Sequence, residues 1–351
     1  MKTKYILPLF LIIQILFLKV IAFFPEFIEY YYSNGLYLFS SKILRISLGI
    51  FPFSIGDLLY GILIFFILKW FWNKRKSWKT NWKNNSLTIL SYLSVVYFSF
   101  HLLWGLNYYR EPLFEKMNIQ KDYSDAQLLD FTQKLILKTN AIHSQITPND
   151  SLKVVFPYTQ DTVYKMNVIS YHNLAQKHTF FEFKHLSSKP SIISLPLTYM
   201  GFGGYLNPFT NESQVNYKIP MVHFPFVSAH EMAHQLGYGS ESECNFIGFL
   251  ASVKNENLYF KYAGYSYALR YCLGNWQMRD EKVFKKLLKT IHPGIIKNYQ
   301  ESDAFWKSYQ SPIETAFHVF YDRFLKINQQ QDGIDSYSKF LNLLINYKEE
   351  I

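Results

Sequence analysis

Pro225-Phe-Val-Ser-Ala-His230-Glu231-Met-Ala-His234-Gln-Leu-Gly237-Tyr-Gly-Ser240-Glu241-Ser-Glu243-Cys244-Asn245-Phe246 is the stretch on which the reading of this chain turns. At 100° per residue, positions 230 and 234 are neighbours on one helical face, so two imidazoles converge on one point. Pro225 suits a first helical turn and Gly237 suits the residue just past a helix end, which predicts a helix over 225–236. The chain then turns and restarts at Ser240, predicting a second helix over 241–254. Paired imidazoles one turn apart, with a carboxylate beside the first, form the donor pattern of a zinc site in which Glu231 reaches a coordinated water as general base.

A catalytic zinc keeps three protein ligands and leaves a fourth position for water. The second helix offers two carboxylates. Ser240-x-x-Glu243 has capping-box spacing, which would engage Glu243 at the helix start. Glu241 lies one turn before Asn245, which is placed to orient a ligand from behind. The expectation is therefore His230, His234 and Glu241 as metal ligands, Glu243 as the alternate third ligand should the helix start earlier, Asn245 as support, and Glu231 as the catalytic residue. Tyr262, Tyr265 and Tyr271 on the next helix are the candidate oxyanion donors. His223 and Cys244 read as packing residues. A Cys244–Cys272 disulfide is permitted outside the cytoplasm but not required.

Working outward, residues 205–216 read as an extended stretch ahead of the metal helix, either an edge strand suited to pairing with a substrate backbone or an ordinary surface loop. Short strands are expected at 152–158 and 191–200. A capping box at Ser124 opens a helix to about Ile142, and others are expected over 162–178, 259–276, 280–290, 301–326 and 335–348. The fold class is α+β, mostly α. No repeat or low-complexity linker follows Asn107, so residues 108–351 form one domain.

The N-terminal third is different. The chain of 351 residues carries a formal charge of +10, and residues 1–107 hold 11 Lys/Arg against 3 acids. The rest is nearly neutral. That same third contains three apolar runs, at about 5–24, 53–72 and 86–106, each near the ~20 residues a helix needs to cross a bilayer. The first run lacks a small-x-small cleavage site and contains Lys19, so it reads as a retained span and not a removed leader. Lys69, Lys74, Arg75, Lys76, Lys79 and Lys83 cluster between the second and third runs, flanked by Trp70, Trp72, Trp78 and Trp82. Short basic loops stay in the cytoplasm and tryptophans favour the interface. The charge is thus an orientation signal, with no nucleic-acid partner implied. Residues 1–107 become a membrane anchor, Glu26–Pro52 an aromatic helix lying on the outer interface, and residues 108–351 an extracytoplasmic domain. Asp57 reads as a helix-entry residue only.

With these residues in hand, the chain resembles a bacterial family of membrane-anchored zincin-like proteins catalogued as a domain of unknown function (number 3810). The matching motifs are Trp104-Gly-Leu-Asn-Tyr-Tyr-Arg110-Glu-Pro-Leu, Tyr205-Leu-Asn-Pro-Phe-Thr, Val215-Asn216, His230-Glu-x-x-His234-Gln-x-Gly237 running into Glu241-x-Glu243-x-Asn245-Phe246, and Ser336-Tyr337. Cys244 stands where an alanine is usual. The resemblance implies a three-span anchor carrying a glutamate-type zincin domain. Together, residues and resemblance lead to an expected zinc-dependent metallopeptidase in a bacterial inner membrane, acting on a peptide or protein substrate in the periplasm. The rival expectations are a membrane scaffold or sensor with structural zinc, and an inverted topology with the zinc domain in the cytoplasm.

Overall fold

The computed structural model describes residues 2–330 and 337–347. It opens with α1 (Ile6–Ile21), α2 (Pro25–Phe27), a π-helix over Ile28–Leu36 and α3 (Tyr37–Gly49). Then come α4 (Ile55–Lys74) and α5 (Trp82–Leu103), both long and apolar enough to cross a membrane. Of the three spans expected from sequence, two are met by single helices and the third rests on a bent pair. α1 holds 16 residues, about 24 Å of helix, and the chain bends by 105° between it and the Pro25–Gly49 helices. A third span exists only if that bent pair counts as one. The break falls at Phe24-Pro25, where proline removes a backbone donor and disfavours helix in the residue before it.

Beyond the anchor lie α6 (Leu113–Lys116), α7 (Asp125–Ile146), α8 (Gln160–Ala175), β1 (Ser188–Pro190), α9 (Ser194–Tyr199), β2 (Gly204–Leu206) and β3 (Ser213–Val215). They are followed by α10 (Phe224–Gln235), α11 (Glu241–Lys254), α12 (Leu258–Arg279), α13 (Glu281–Leu288), α14 (Pro293–Tyr309), α15 (Pro312–Ile327) and α16 (Tyr337–Asn346). The chain is mostly helical with a small sheet, as an α+β, mostly α reading requires. The sheet order is β1-β3-β2, with β1 parallel and β2 antiparallel to the central β3.

Three local expectations fail for identifiable reasons. Residues 191–200 form the helix α9 and not a strand, because Pro196 sits in its first turn, where no backbone donor is needed. Residues 152–158 form no strand. Their polar backbone is met by a side chain instead: Asn298 Oδ1 accepts from Val154 N at 2.9 Å and its Nδ2 donates to Val154 O at 3.1 Å. The single helix expected over 301–326 is two, α14 and α15, divided before Pro312, with the Ser311 hydroxyl capping the second. Ser336 of the C-terminal motif lies outside the described residues.

The core is built on α10, α11 and α12. Ala229, Met232 and Ala233 pack against Phe246, Ile247 and Leu250, with Ala268 and Leu269 behind them, all fully buried. α10 and α11 approach closely because position 248 is glycine: a Cβ there would lie 3.1 Å from His230 N. Helix α7, with its Ser124–Gln127 capping box formed as expected, and α8 and α16 complete the layer.

The anchor is locked into this domain. Glu212 accepts from Ile55 N at 3.2 Å and Gly56 N at 2.6 Å, so a carboxylate caps the positive end of α4. Asp57 does more than open a helix. It is buried and accepts from Tyr205 Oη at 2.5 Å, Ser191 Oγ at 3.0 Å and Ile192 N at 2.7 Å. The 26–52 segment does not simply lie on an interface either. One face, with Glu29, Ser33 and Tyr37, is buried in the domain, and Tyr37 Oη donates to Gln235 O at 2.8 Å. The other face leaves Phe39, Ile43 and Ile50 exposed. Because the start of α4 and the end of α5 both meet the domain, the basic Lys74–Trp82 loop joins their far ends.

Candidate metal centre

α10 ends at Gln235, and Gly237 adopts φ +85° to turn the chain into α11. That turn brings Glu241, at the start of α11, over the two histidines. Donor atoms of His230, His234 and Glu241 all lie within 4.8 Å of one another. His230 Nε2 is 3.2 Å from Glu241 Oε2, and His234 Nε2 is 3.7 Å from Glu241 Oε1. Ligands of one tetrahedral zinc, each about 2.0–2.1 Å from the metal, stand about 3.3 Å apart. The spacing fits.

The backs of both rings are held. His230 Nδ1–H donates to Asn245 Oδ1 at 2.9 Å, and His234 Nδ1–H donates to Tyr238 O at 2.7 Å. Each bond fixes a ring orientation with Nε2 facing Glu241. Asn245 thus stands behind His230 and not behind the glutamate. Its oxygen also accepts from Tyr267 Oη at 3.3 Å. Glu241 is steadied from another side by Tyr321 Oη of α15, which donates to Oε1 at 2.7 Å. Trp104, the residue after α5, donates from Nε1 to His234 O at 3.0 Å.

Glu243 is elsewhere. Ser240 makes no side-chain cap, so the capping box expected there does not form. Glu243 Oε1 instead accepts from Leu113 N at 2.6 Å, capping the short α6. Cys244 is buried with its Sγ 3.2 Å from Tyr238 O, and both Cys244 and Cys272 are free thiols, so the permitted disulfide is absent. His223 is the half-buried residue preceding α10 and makes no side-chain cap.

Glu231 is buried beside the triad, and its Oε2 has no hydrogen-bond partner. It lies against the edge strand β2, where a Cβ on Gly204 would come within 2.7 Å of Glu231 Oε1. Glycine at 204 leaves room for the carboxylate. Burial pushes the Glu231 carboxyl up to about 8, with His230 opposing and the charge of Glu241 adding to the rise. Burial would also raise Glu241, but the hydrogen bond from His230, the charges of both histidines and the Tyr321 hydroxyl bring it down to about 2. Burial lowers His234 to about 4. The two carboxyls, ten residues apart in sequence, are thus driven in opposite directions, one toward holding a proton and one toward holding a cation.

The expected oxyanion donors are misplaced. Tyr262 is buried and donates to Asn298 Oδ1 at 2.9 Å, Tyr265 packs on Phe249, and Tyr271 meets Tyr267 at 3.1 Å. The tyrosine that reaches the site is Tyr321. Its signal was the pairing of Ser311 with Pro312, which starts a new helix and sets the face that α15 presents.

A family model described as Protein of unknown function (DUF3810) matches residues 32–345. The chain belongs to the DUF3810 family. The matched region runs from within the π-helix through α4 and α5 to α16, and it includes the histidine helices but not α1 or α2. Comparison with curated proteins and with solved structures returns no match.

Proposed function

We propose that this DUF3810 protein is a membrane-anchored zinc-dependent metallopeptidase that hydrolyses peptide bonds outside the cytoplasm. The observation that carries the reading is the convergence of His230, His234 and Glu241, with the unpartnered carboxylate oxygen of Glu231 beside them. Among the described residues that donor group has three members, which supports a position left for water over a closed structural site. When bound, zinc supplies a Lewis acid that polarises a carbonyl and lowers the pKa of a coordinated water to roughly 7. His230, His234 and Glu241 would hold it. Glu231 takes the proton from the attacking water and returns it to the leaving amine. Gly204 keeps β2 close to that carboxylate, and as the edge strand β2 offers backbone groups to an extended peptide.

The full-length protein purified in nanodiscs is expected to hold about one zinc per chain, and a chelator should abolish peptide hydrolysis until zinc is restored. Zinc-free protein with unchanged hydrolysis would sink the reading. For location, the reading is a bacterial inner membrane with residues 108–351 in the periplasm. Its support is the basic loop at the ends of α4 and α5 remote from the domain. A Ser77→Cys variant is expected to resist an impermeant thiol reagent in intact cells and to label after lysis. Labelling in intact cells would reverse the orientation.

A further inference from the structure

α15 is amphipathic in three directions. One face looks inward: Tyr321 bonds Glu241, Leu325 is fully buried, and His318 stacks on Phe202. A second carries Thr315, Asp322 and Lys326, with a Lys326–Asp322 pair at 2.7 Å. The third carries Ile313, Phe317, Phe320 and Ile327, spaced at i, i+4, i+7 and i+14 and therefore aligned along one stripe. These are exposed, Phe320 at 64% and Ile327 at 74%. Phe324, at i+11 on the same stripe, is half-buried and packs its ring 5.9 Å from Phe100, in the last turn of α5. The apolar stripe therefore continues the surface of a membrane span at the level where that span enters the domain.

The candidate metal centre lies at this same level. Trp104 follows directly on α5 and bonds His234 O. On the opposite side, Tyr205 of β2 bonds Asp57 and stacks on Tyr60, both near the start of α4. The site is thus held between the domain-side ends of two spans. The exposed stripe of α3 adds a second apolar surface beside them.

We infer that α15 is seated in the outer leaflet, with Ile313, Phe317, Phe320 and Ile327 in lipid, and that it holds Tyr321 on Glu241 from that seat. A helix with one apolar, one charged and one packed face suits the plane of the interface. The occupant of the stripe is the bilayer to which α4 and α5 already belong, because Phe324 joins it to α5 without a break. Resting on the metallopeptidase reading, the substrate class follows: polypeptide anchored in the same membrane and cut close to its anchor.

The test uses the full-length protein in phosphatidylethanolamine–phosphatidylglycerol nanodiscs. Spin labels are placed on Phe320→Cys and, for the polar face, on Thr315→Cys; Cys244 and Cys272 are buried and free. The Phe320 label is expected to be relaxed more by oxygen, which concentrates in lipid, than by an aqueous nickel chelate, and the Thr315 label the reverse. Equal access of the chelate to both labels would overturn the seat. These readings need neither zinc nor turnover, so they stand or fall apart from the peptidase reading. In the second arm a mixed peptide library carrying a diacyl anchor is incubated with the zinc-loaded protein and cut positions are read by mass spectrometry. Cuts are expected within about six residues of the anchor, ~20 Å of extended chain. Cuts spread evenly along the peptides would overturn the substrate class.

Discussion

Replacing Glu231 by Gln is expected to leave zinc content unchanged and to lower peptide hydrolysis by roughly 10²–10⁴-fold, the usual contribution of a positioned general base. The substitution keeps size and shape but removes the ability to take a proton. Zinc should survive it because Glu231 stands outside the donor group formed by His230, His234 and Glu241. Folding should survive it too. Burial raises this carboxyl to about 8 when no metal is bound, so the metal-free fold disfavours its charged form, and a bound zinc ion would draw it back toward the proton-accepting form. A neutral amide suits the metal-free fold at least as well, so the thermal midpoint should hold or rise. Zinc analysis, melting and turnover on one preparation give three readings with different expected signs. Full hydrolysis by the zinc-loaded variant would exclude Glu231 as the base.

The helix pair was the most legible part of the molecule, since its signals are local. His230 and His234 share a face by helical arithmetic, Pro225 and Gly237 bracket α10, and α11 runs from Glu241 to Lys254 as its pattern indicates. Glu241 and Glu243 are told apart by a partner remote in sequence. The Ser240-x-x-Glu243 spacing predicts a capping box, whereas Glu243 serves Leu113, 130 positions away. No window on the chain contains that bond. The same holds for Tyr321, which meets Glu241 across 80 residues, and for Asp57, which meets Tyr205 across 148. Each is polar, sits on an ordinary helix and acquires its partner only on folding.

The anchor shows the opposite failure. Hydropathy identifies α4 and α5 because a bilayer demands continuous apolar length, but at α1 composition does not register the 105° bend on which a third span depends. Nor does apolar content reveal which face of the 26–52 segment faces protein. Glu29, Ser33 and Tyr37 are buried there while Phe39 and Ile50 are exposed, because the first set meets the domain and the second does not.

The second large effect should come from Arg110, which was visible in sequence only as part of a motif. Its guanidinium meets Glu29 with two bonds, Nε at 2.8 Å and Nη2 at 2.7 Å. Nη1 donates to Gly237 O at 3.0 Å and to Leu236 O at 3.3 Å, the carbonyls left open where α10 ends, and the plane lies over Tyr238. One side chain therefore joins the anchor segment to the end of the metal helix, two or three residues from His234. Arg110→Ala leaves the buried Glu29 with Lys116 at 2.6 Å and the Asn34 amide at 3.1 Å, and without the two-pronged guanidinium. Removing one partner of a buried pair costs about 3–5 kcal/mol, mostly through the stranded charge. The variant should unfold at a clearly lower temperature in nanodiscs and bind zinc more weakly. Adding Glu29→Gln to Arg110→Ala should recover much of the lost stability, because the stranded charge goes with it, but not the zinc affinity, because the α10 carbonyls remain uncapped. A double variant no more stable than Arg110→Ala would show that the pair is not what the arginine contributes. Recovery of zinc affinity in the double variant would show instead that the charge, and not the cap on α10, positions His234.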